Sequence, residues 1–263
     1  MITAERTRII RAGLGGAVKA TLALGLVACG FSPAGGSGDL PDAAPGDAPL
    51  TTIDADEPPR AFCDREDPDL RLCLTFEQGA ADEAGAGAVV DRAANLGFGP
   101  GRVGGAVQLS SSSDLHVAET PALDVTTALT MEAFVLVAEA PANRAGIMDN
   151  NGQWGMWIGS NMRPYCTLVG STVSGPTIAA ATWTHVACVF DGQTYRIYVD
   201  GALFGTVNRQ VPASTAGLDG VNVGQDCTPT GANDPLTGGL DEVRVWASAR
   251  SDAQLAAAAA RTE

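Results

Sequence analysis

Residues 182–207, TWTHVACVFDGQTYRIYVDGALFGTV, decide the fold. Val186, Cys188 and Phe190 alternate with His185, Ala187 and Val189; Tyr195, Ile197 and Val199 alternate with Arg196, Tyr198 and Asp200. A period of two belongs to a pleated strand, whose successive side chains point to opposite faces. Asp191-Gly192 and Asp200-Gly201 separate the runs, and such dipeptides accept the positive φ that tight hairpin turns demand. The segment therefore reads as three antiparallel strands joined by two turns. It holds no paired carboxylates, no metal-spaced histidines and no activated nucleophile, so it is scaffold before it is site.

From Phe62 onward, turn signals recur at short intervals with strand-like runs between them, as in an all-β sandwich. The predicted strands are 70–77, 105–109, 115–117, 129–137, 145–149, 155–159, 165–169, 182–190, 195–200, 202–206, 221–223 and 240–246. Residues 78–104, rich in glycine and acids, read as a long surface loop. Only the end is helical in pattern: Ser251 can cap, Gln254 holds the capping-box position, and strong helix formers run from Leu255 to Ala260.

At the amino terminus Arg6, Arg8, Arg11 and Lys19 precede an apolar run, 20–28, that is too short to span a bilayer. Residues 1–28 thus read as an export signal. Leu26-Val27-Ala28-Cys29-Gly30 resembles the lipobox of bacterial lipoproteins, which implies lipidation at Cys29. Residues 29–60, dominated by Gly, Pro, Ala and Asp, cannot bury enough apolar surface to order themselves and read as a tether. The folded domain is expected over 61–263. Gly30 stands where an aspartate would signal retention at an inner membrane, so the outer membrane is the expected address in a cell with two membranes.

The chain carries a formal charge of −14, and loss of the cationic leader makes it more acidic. Nucleic acid is a poor partner for such a molecule. With Cys29 assigned to lipid, Cys63, Cys73, Cys166, Cys188 and Cys227 remain; they show no zinc spacing and read as a disulfide framework of an oxidising compartment. Cys63 with Cys73, and Cys166 with Cys188, are the favoured pairs because each joins segments that the strand reading makes neighbours. This leaves Cys227 odd, and a pairing that uses Cys227 and frees another thiol stays open.

LCLTFEQG from Leu72, GGAVQLS from Gly104, ALTMEAFVLV from Ala128, WTHVACVFDG, YRIYVDG and GGLDEVRVW from Gly238 occur in this order. Together they resemble the laminin G-like jelly roll of the concanavalin A-like lectin/glucanase group. Phe134 departs from that pattern, which usually has tryptophan there. The resemblance implies a concanavalin A-like jelly-roll β-sandwich, here with a short C-terminal helix. It also implies a structural calcium ion between the first and last strands, for which Glu77, Asp82 and Asp241 are the expected ligands. Hydrolases of the group carry Glu-x-Asp-x-x-Glu, which is absent here: Glu132 stands alone on its strand, and adjacent Asp241 and Glu242 should point to opposite faces. His116 and His185 read as structural or surface residues, and no catalytic residue is assigned. Trp183 and Trp246 match core positions, and Trp157 alternates as a buried residue. Trp154, with Asn150, Asn151, Gln153 and Tyr165, remains as the candidate ligand platform, since rings can stack on sugar faces while amides bind hydroxyls. The expected function is non-catalytic binding of glycan or protein by a lipid-anchored envelope protein. The alternatives are an assembly component without a soluble ligand and, third, a glycoside hydrolase.

Overall fold

Asp200 and Gly201 adopt φ of 48° and 76°, and the chain reverses there, where its sequence predicts a turn. At the other predicted turn Gly192 stands at φ 93°, and Asp191 Oδ1 accepts hydrogen bonds from the amides of Gln193 (2.9 Å) and Thr194 (2.7 Å). The structure, a computed structural model, describes residues 62–150, 152–168, 171–208, 219–226 and 234–262. The export signal, Cys29 and the tether lie outside the described residues, as do Asn151 and Cys227.

In chain order the first strands are β1 (Leu70–Leu74), β2 (Val90–Ala94), β3 (Gly97–Pro100), β4 (Gly105–Leu109), β5 (Asp114–Val117), β6 (Leu129–Val137) and β7 (Arg144–Asn150). Then follow β8 (Trp154–Gly159), β9 (Pro164–Leu168), β10 (Ser171–Ser174), β11 (Thr184–Phe190) and β12 (Thr194–Val199). The last are β13 (Ala202–Asn208), β14 (Val221–Val223), β15 (Gly238–Trp246) and helix α1 (Asp252–Ala259). The first sheet has eight strands, in the order β13-β12-β11-β6-β15-β4-β3 with β1 also paired to β15. The second has seven, in the order β10-β9-β8-β7-β14-β5-β2. The predicted meander is β11-β12-β13, in register from Val186 opposite Val199 to Phe190 opposite Tyr195.

Three strands were not predicted. β2 and β3 lie inside the stretch read as a loop, and β10 follows β9. All three sit at sheet edges and are largely exposed, so none needs an apolar alternation to bury; β3, GFGP, is half glycine. Their pairing is with backbone, which leaves little trace in side-chain pattern.

Inward side chains of the two sheets meet in one core. Leu72, Val107, Met131, Val135, Val186, Ile197 and Leu240 come from the first sheet; Leu115, Ile147, Met156, Ile158, Leu168 and Val221 come from the second. All are inaccessible to solvent. Cys166 of β9 and Cys188 of β11 belong to the same cluster, and their disulfide joins the sheets across it with Cα atoms 6.0 Å apart. The cysteines expected to be neighbours are so through the core rather than along a ladder. A second disulfide ties Cys63, ahead of the first strand, to Cys73 on β1.

One close approach requires glycine. Gly238 opens β15 at φ 150°, where an added Cβ would lie 1.8 Å from the Leu136 carbonyl oxygen on β6. The predicted helix forms as read, with Ser251 at the N-cap and both bonds of the capping box present. Its Leu255 packs on Ala187, Val189 and Tyr198, the outward side chains of β11 and β12. The Tyr198 hydroxyl donates to Asp252 Oδ1 at 2.7 Å, and burial together with this bond pushes its pKa up to about 12. Strand β11 is consequently buried on both faces, which explains why Ala187 and Val189, on the face away from the core, are also apolar.

Trp183, expected in the core, is instead half-buried just before β11, its ring lying against Gly239. Phe134 is buried on the outer face of the first sheet, edge-on to the His185 ring at 5.2 Å, and the topology is unaffected.

Replacing Cys166 and Cys188 together by alanine opens a loop spanning 22 residues. The expected outcome is a loss of about 3 kcal/mol of unfolding free energy in the chain-entropy account, read from urea unfolding with midpoint and slope fitted together, because the unfolded chain expands without the crosslink.

Candidate functional site

The outer face of the first sheet holds the most deeply buried charges. Glu132 on β6 accepts a hydrogen bond from His185 Nε2 on β11 at 3.0 Å, and Arg244 Nη2 from β15 lies 2.8 Å from its other oxygen. None of the three is more than 5% exposed. Burial works against the Glu132 charge, but Arg244 and His185 outweigh it and hold the carboxyl below its ordinary range. Arg244 also lies over the rings of Phe62 (4.1 Å) and Trp246 (5.2 Å). Covered in this way, Glu132 and His185 serve structure. His116, on β5, is also buried: Nδ1 is 2.5 Å from Asp91 Oδ1, and Nε2 meets the Asp219 carbonyl.

Of the three expected calcium ligands, two come together. The amides of Arg102 and Val103 donate to Asp241 Oδ2, both at 2.8 Å, and the Gly105 amide donates to the Glu77 carboxylate at 3.0 and 3.1 Å. Both side chains thus grip the turn before β4. Asp82 is engaged elsewhere; its Oδ1 accepts from the amides of Cys73 (2.8 Å) and Ala84 (3.1 Å) and closes the loop after β1. In its place stands Glu242. The alternation argument put Glu242 on the opposite face from Asp241, but β15 bulges between Asp241 and Arg244, with Glu242 at φ 52°. An extra residue in one strand breaks the period of two and re-aims the side chains around it.

Asp241 Oδ1 and Glu242 Oε2 are buried with no hydrogen-bond partner. Burial, and to a lesser degree the Glu77 charge, pushes the Asp241 pKa up to about 6. Burial, then the Asp241 and Glu77 charges, push Glu242 up to about 8 against the pull of Arg244. Among the described residues, no three His, Cys, Asp or Glu side chains are already arranged around a metal position. The two orphaned oxygens are donors that either a hard cation or a proton would satisfy.

The expected ligand platform does not assemble. Trp154 is 1% exposed and donates through Nε1 to the Leu123 carbonyl at 3.4 Å. Asn150 Nδ2 donates to the same carbonyl at 3.2 Å and to Gln153 Oε1 at 3.1 Å, while Gln153 Nε2 donates to Asp124. These residues anchor the Leu123–Asp124 loop from beneath, and Asn150 Oδ1 is left buried without a hydrogen-bond partner. Tyr165 alone of the described group lies at an open surface. It points to the outer face of the second sheet, since Cys166 and Leu168 on either side of Thr167 point into the core.

On that face the rings that matter are Trp157 and Tyr165, opposite each other on β8 and β9 and stacked at 6.4 Å and 18°. Trp157 is buried beneath its neighbours rather than in the core. Arg144 of β7 lies 4.4 Å over its ring, and its indole donates to Thr167 Oγ1 at 3.2 Å. Parity could have found it: Trp154 and Trp157 are three residues apart on one strand, so they must take opposite faces. Asp226 and Asp234 fix the Arg144 guanidinium, the latter at 2.5 Å. Burial opposes the Arg144 charge, but the two aspartates and Tyr165 outweigh it and raise its pKa. Beside this stack is a shallow, open depression of about 370 Å³. It is lined by Arg144, Arg163 and Tyr165, the amides of Asn143 and Asn161, and the hydroxyls of Ser160, Thr172 and Ser174. The arginines were not singled out in the sequence because a lone Arg at a turn carries no pattern.

The family described as the concanavalin A-like lectin/glucanases superfamily matches residues 106–256 of this sequence. No curated protein matches it. Among solved structures, a Bacteroides ovatus protein described as a candidate carbohydrate-binding protein is 22% identical, with a TM-score of 0.51 over 57% of this chain and 45% of that one. Domain 4 of AbnA, an extracellular arabinanase of Geobacillus stearothermophilus solved with arabinotriose, is 15% identical, with a TM-score of 0.56 over 73% of this chain and 98% of that one. The binding domain of botulinum neurotoxin DC, solved with SialylT, is 15% identical, with a TM-score of 0.56 over 73% of this chain and 51% of that one. At these identities the likeness is one of fold. The chain spans about half the length of the first and third of these structures.

The Glu242 carboxyl, raised from an ordinary 4.5 to about 8, sets a pH dependence. Between those values the folded state holds a proton that the unfolded state has lost, so stability falls as pH rises through the window. In calcium-free buffer the protein is expected to be more stable to urea at pH 5 than at pH 8, and Glu242→Gln to shrink that difference.

Proposed function

Because this chain belongs to the concanavalin A-like lectin/glucanases superfamily, we propose that its domain is a non-catalytic glycan-binding module, presented at the cell envelope on a tether lipidated at Cys29. The single observation that carries the reading is the outer face of the second sheet, where Tyr165, stacked on the buried Trp157, lines an open depression together with Asn, Ser, Thr and Arg residues. Aromatic area together with a few placed polar groups is the usual composition of a sugar site. Supporting it, the structurally similar domains include one solved with arabinotriose and one with SialylT. Export, lipidation and an outer-membrane address are supported by the order of cationic run, apolar run, Leu26-Val27-Ala28-Cys29 and low-complexity tether. The missing Glu-x-Asp-x-x-Glu pattern supports a role without turnover. A calcium ion held by Asp241 and Glu242 with Glu77 would neutralise the orphaned carboxylates and brace the last strand against the turn before β4.

A glycan array probed with the purified protein is expected to give reproducible hits that weaken about tenfold with Tyr165→Ala, the loss of one stacking ring. Trp154→Ala, by contrast, is expected to cost about 3–5 kcal/mol of stability as a core truncation. Silence on the array together with a stoichiometric co-purifying protein would assign the domain to assembly, and turnover abolished by one carboxylate change would make it an enzyme. For the cation, calcium is expected to raise the melting temperature and Glu242→Gln to abolish the rise; a melting temperature indifferent to calcium and chelator removes the ion from the account.

A further inference from the structure

The chain has 30 acidic and 16 basic residues, yet the charged side chains lining the depression are two arginines, with no carboxylate among the described lining residues. The two arginines are not equivalent. Arg144 is held by Asp226 and Asp234 and laid over Trp157, so its charge is already answered. Arg163 makes no ion pair among the described residues. Its Nε donates to the Gly175 carbonyl at 2.7 Å, which fixes the plane of the guanidinium at the β8–β9 turn and leaves the two terminal nitrogens unused by that bond. A guanidinium held by Nε presents a forward pair of donors, and that pair matches the two oxygens of a carboxylate. Tyr165, Asn161, Thr172 and Ser174 bring neutral donors and acceptors to the same depression, the groups that hydroxyls of a sugar ring require.

We propose that this depression selects a carboxylate-bearing sugar, a uronic or sialic acid within a glycan chain, with Arg163 binding the carboxylate and Tyr165, backed by the buried Trp157, supporting the ring beside it. This rests on the glycan-binding reading of the same face. The acidity of the whole protein does not oppose it, because charges beyond about 8 Å are largely screened at physiological salt while a directly contacting arginine is not.

The experiment is titration calorimetry of the purified full-length protein with uronate- and sialate-bearing oligosaccharides, each paired with its methyl ester. The acid of at least one pair is expected to bind about tenfold or more tightly than its ester. That preference should vanish in Arg163→Gln and be reduced in Arg163→Lys, which keeps the charge and loses the fork. Far-ultraviolet circular dichroism checks that both variants are folded, and Arg163→Lys carries the test if the glutamine variant is not. Equal binding of acids and esters would overturn the carboxylate inference and leave the glycan reading standing. Absence of binding by every acid and every ester, with neutral chains equally inert, would overturn both. An acid preference that survives intact in both variants would remove Arg163 from the role.

Discussion

Strand β15 has to satisfy three neighbours at once. Along one edge it pairs with β6 from Gly238 to Trp246; along the other, its first half pairs with β4 and its second half with β1. The bulge at Glu242 falls where one partner gives way to the other. Everything distinctive about the first sheet's outer face depends on that irregularity. It sends Asp241 to the turn before β4, where two amides hold it, and it leaves Glu242 beside it with an unpartnered oxygen. It also returns Arg244 to the register at which Glu132 stands opposite. A regular strand would keep the alternation and separate these charges.

The two outer faces then have different fates. On the first sheet, Leu255 of the helix covers Ala187, Val189 and Tyr198, while Phe62 and Arg261 close over Arg244. Ion pairs buried under such cover are held by their partners and offer nothing to a ligand. On the second sheet no helix among the described residues covers the strands, and the side chains at its β7–β10 side are short, polar or planar. The half-buried Tyr165 ring, held flat against the buried Trp157 beside exposed Asn143 and Asn161, is a surface that water can leave at small cost when a sugar ring arrives. The disulfide between Cys166 and Cys188 lies directly beneath, on the inward side of the same strand that carries Tyr165, and keeps that strand from moving relative to the first sheet.

What could be read in advance follows from where side-chain pattern is obligatory. Strands with one face in the core, such as β4 and β12, must alternate, and they were legible nearly to the residue. Ser251 and Gln254 marked the helix start because the capping box needs just those side chains. Edge strands β2, β3 and β10 were invisible because backbone pairing alone holds them. The candidate site was harder. The polar neighbours of Trp154 in sequence suggest a platform, yet Asn150 and Gln153 turn inward to hold a loop twenty-odd residues upstream. Trp157 is buried as its alternation predicts, but under Arg144 and against Tyr165 on the outside of the sheet.

The amino-acid sequence by itself determined the sandwich, its meander and its helix cap, because each rests on local periodicity or turn chemistry, and its ordered strand motifs carried the family; it favoured both disulfide pairs, which the structure contains. Only the tertiary structure decided which charges share an enclosure and which face remains open. Glu132, His185 and Arg244 meet through strand register, and Arg144 meets Asp226, Asp234 and Trp157 through the neighbouring strand and the loops that follow β14. Pairings between residues tens of positions apart leave no mark on the spacing of either partner. The physical reason is that a strand's own pattern records which side is buried, and not what lies across from it.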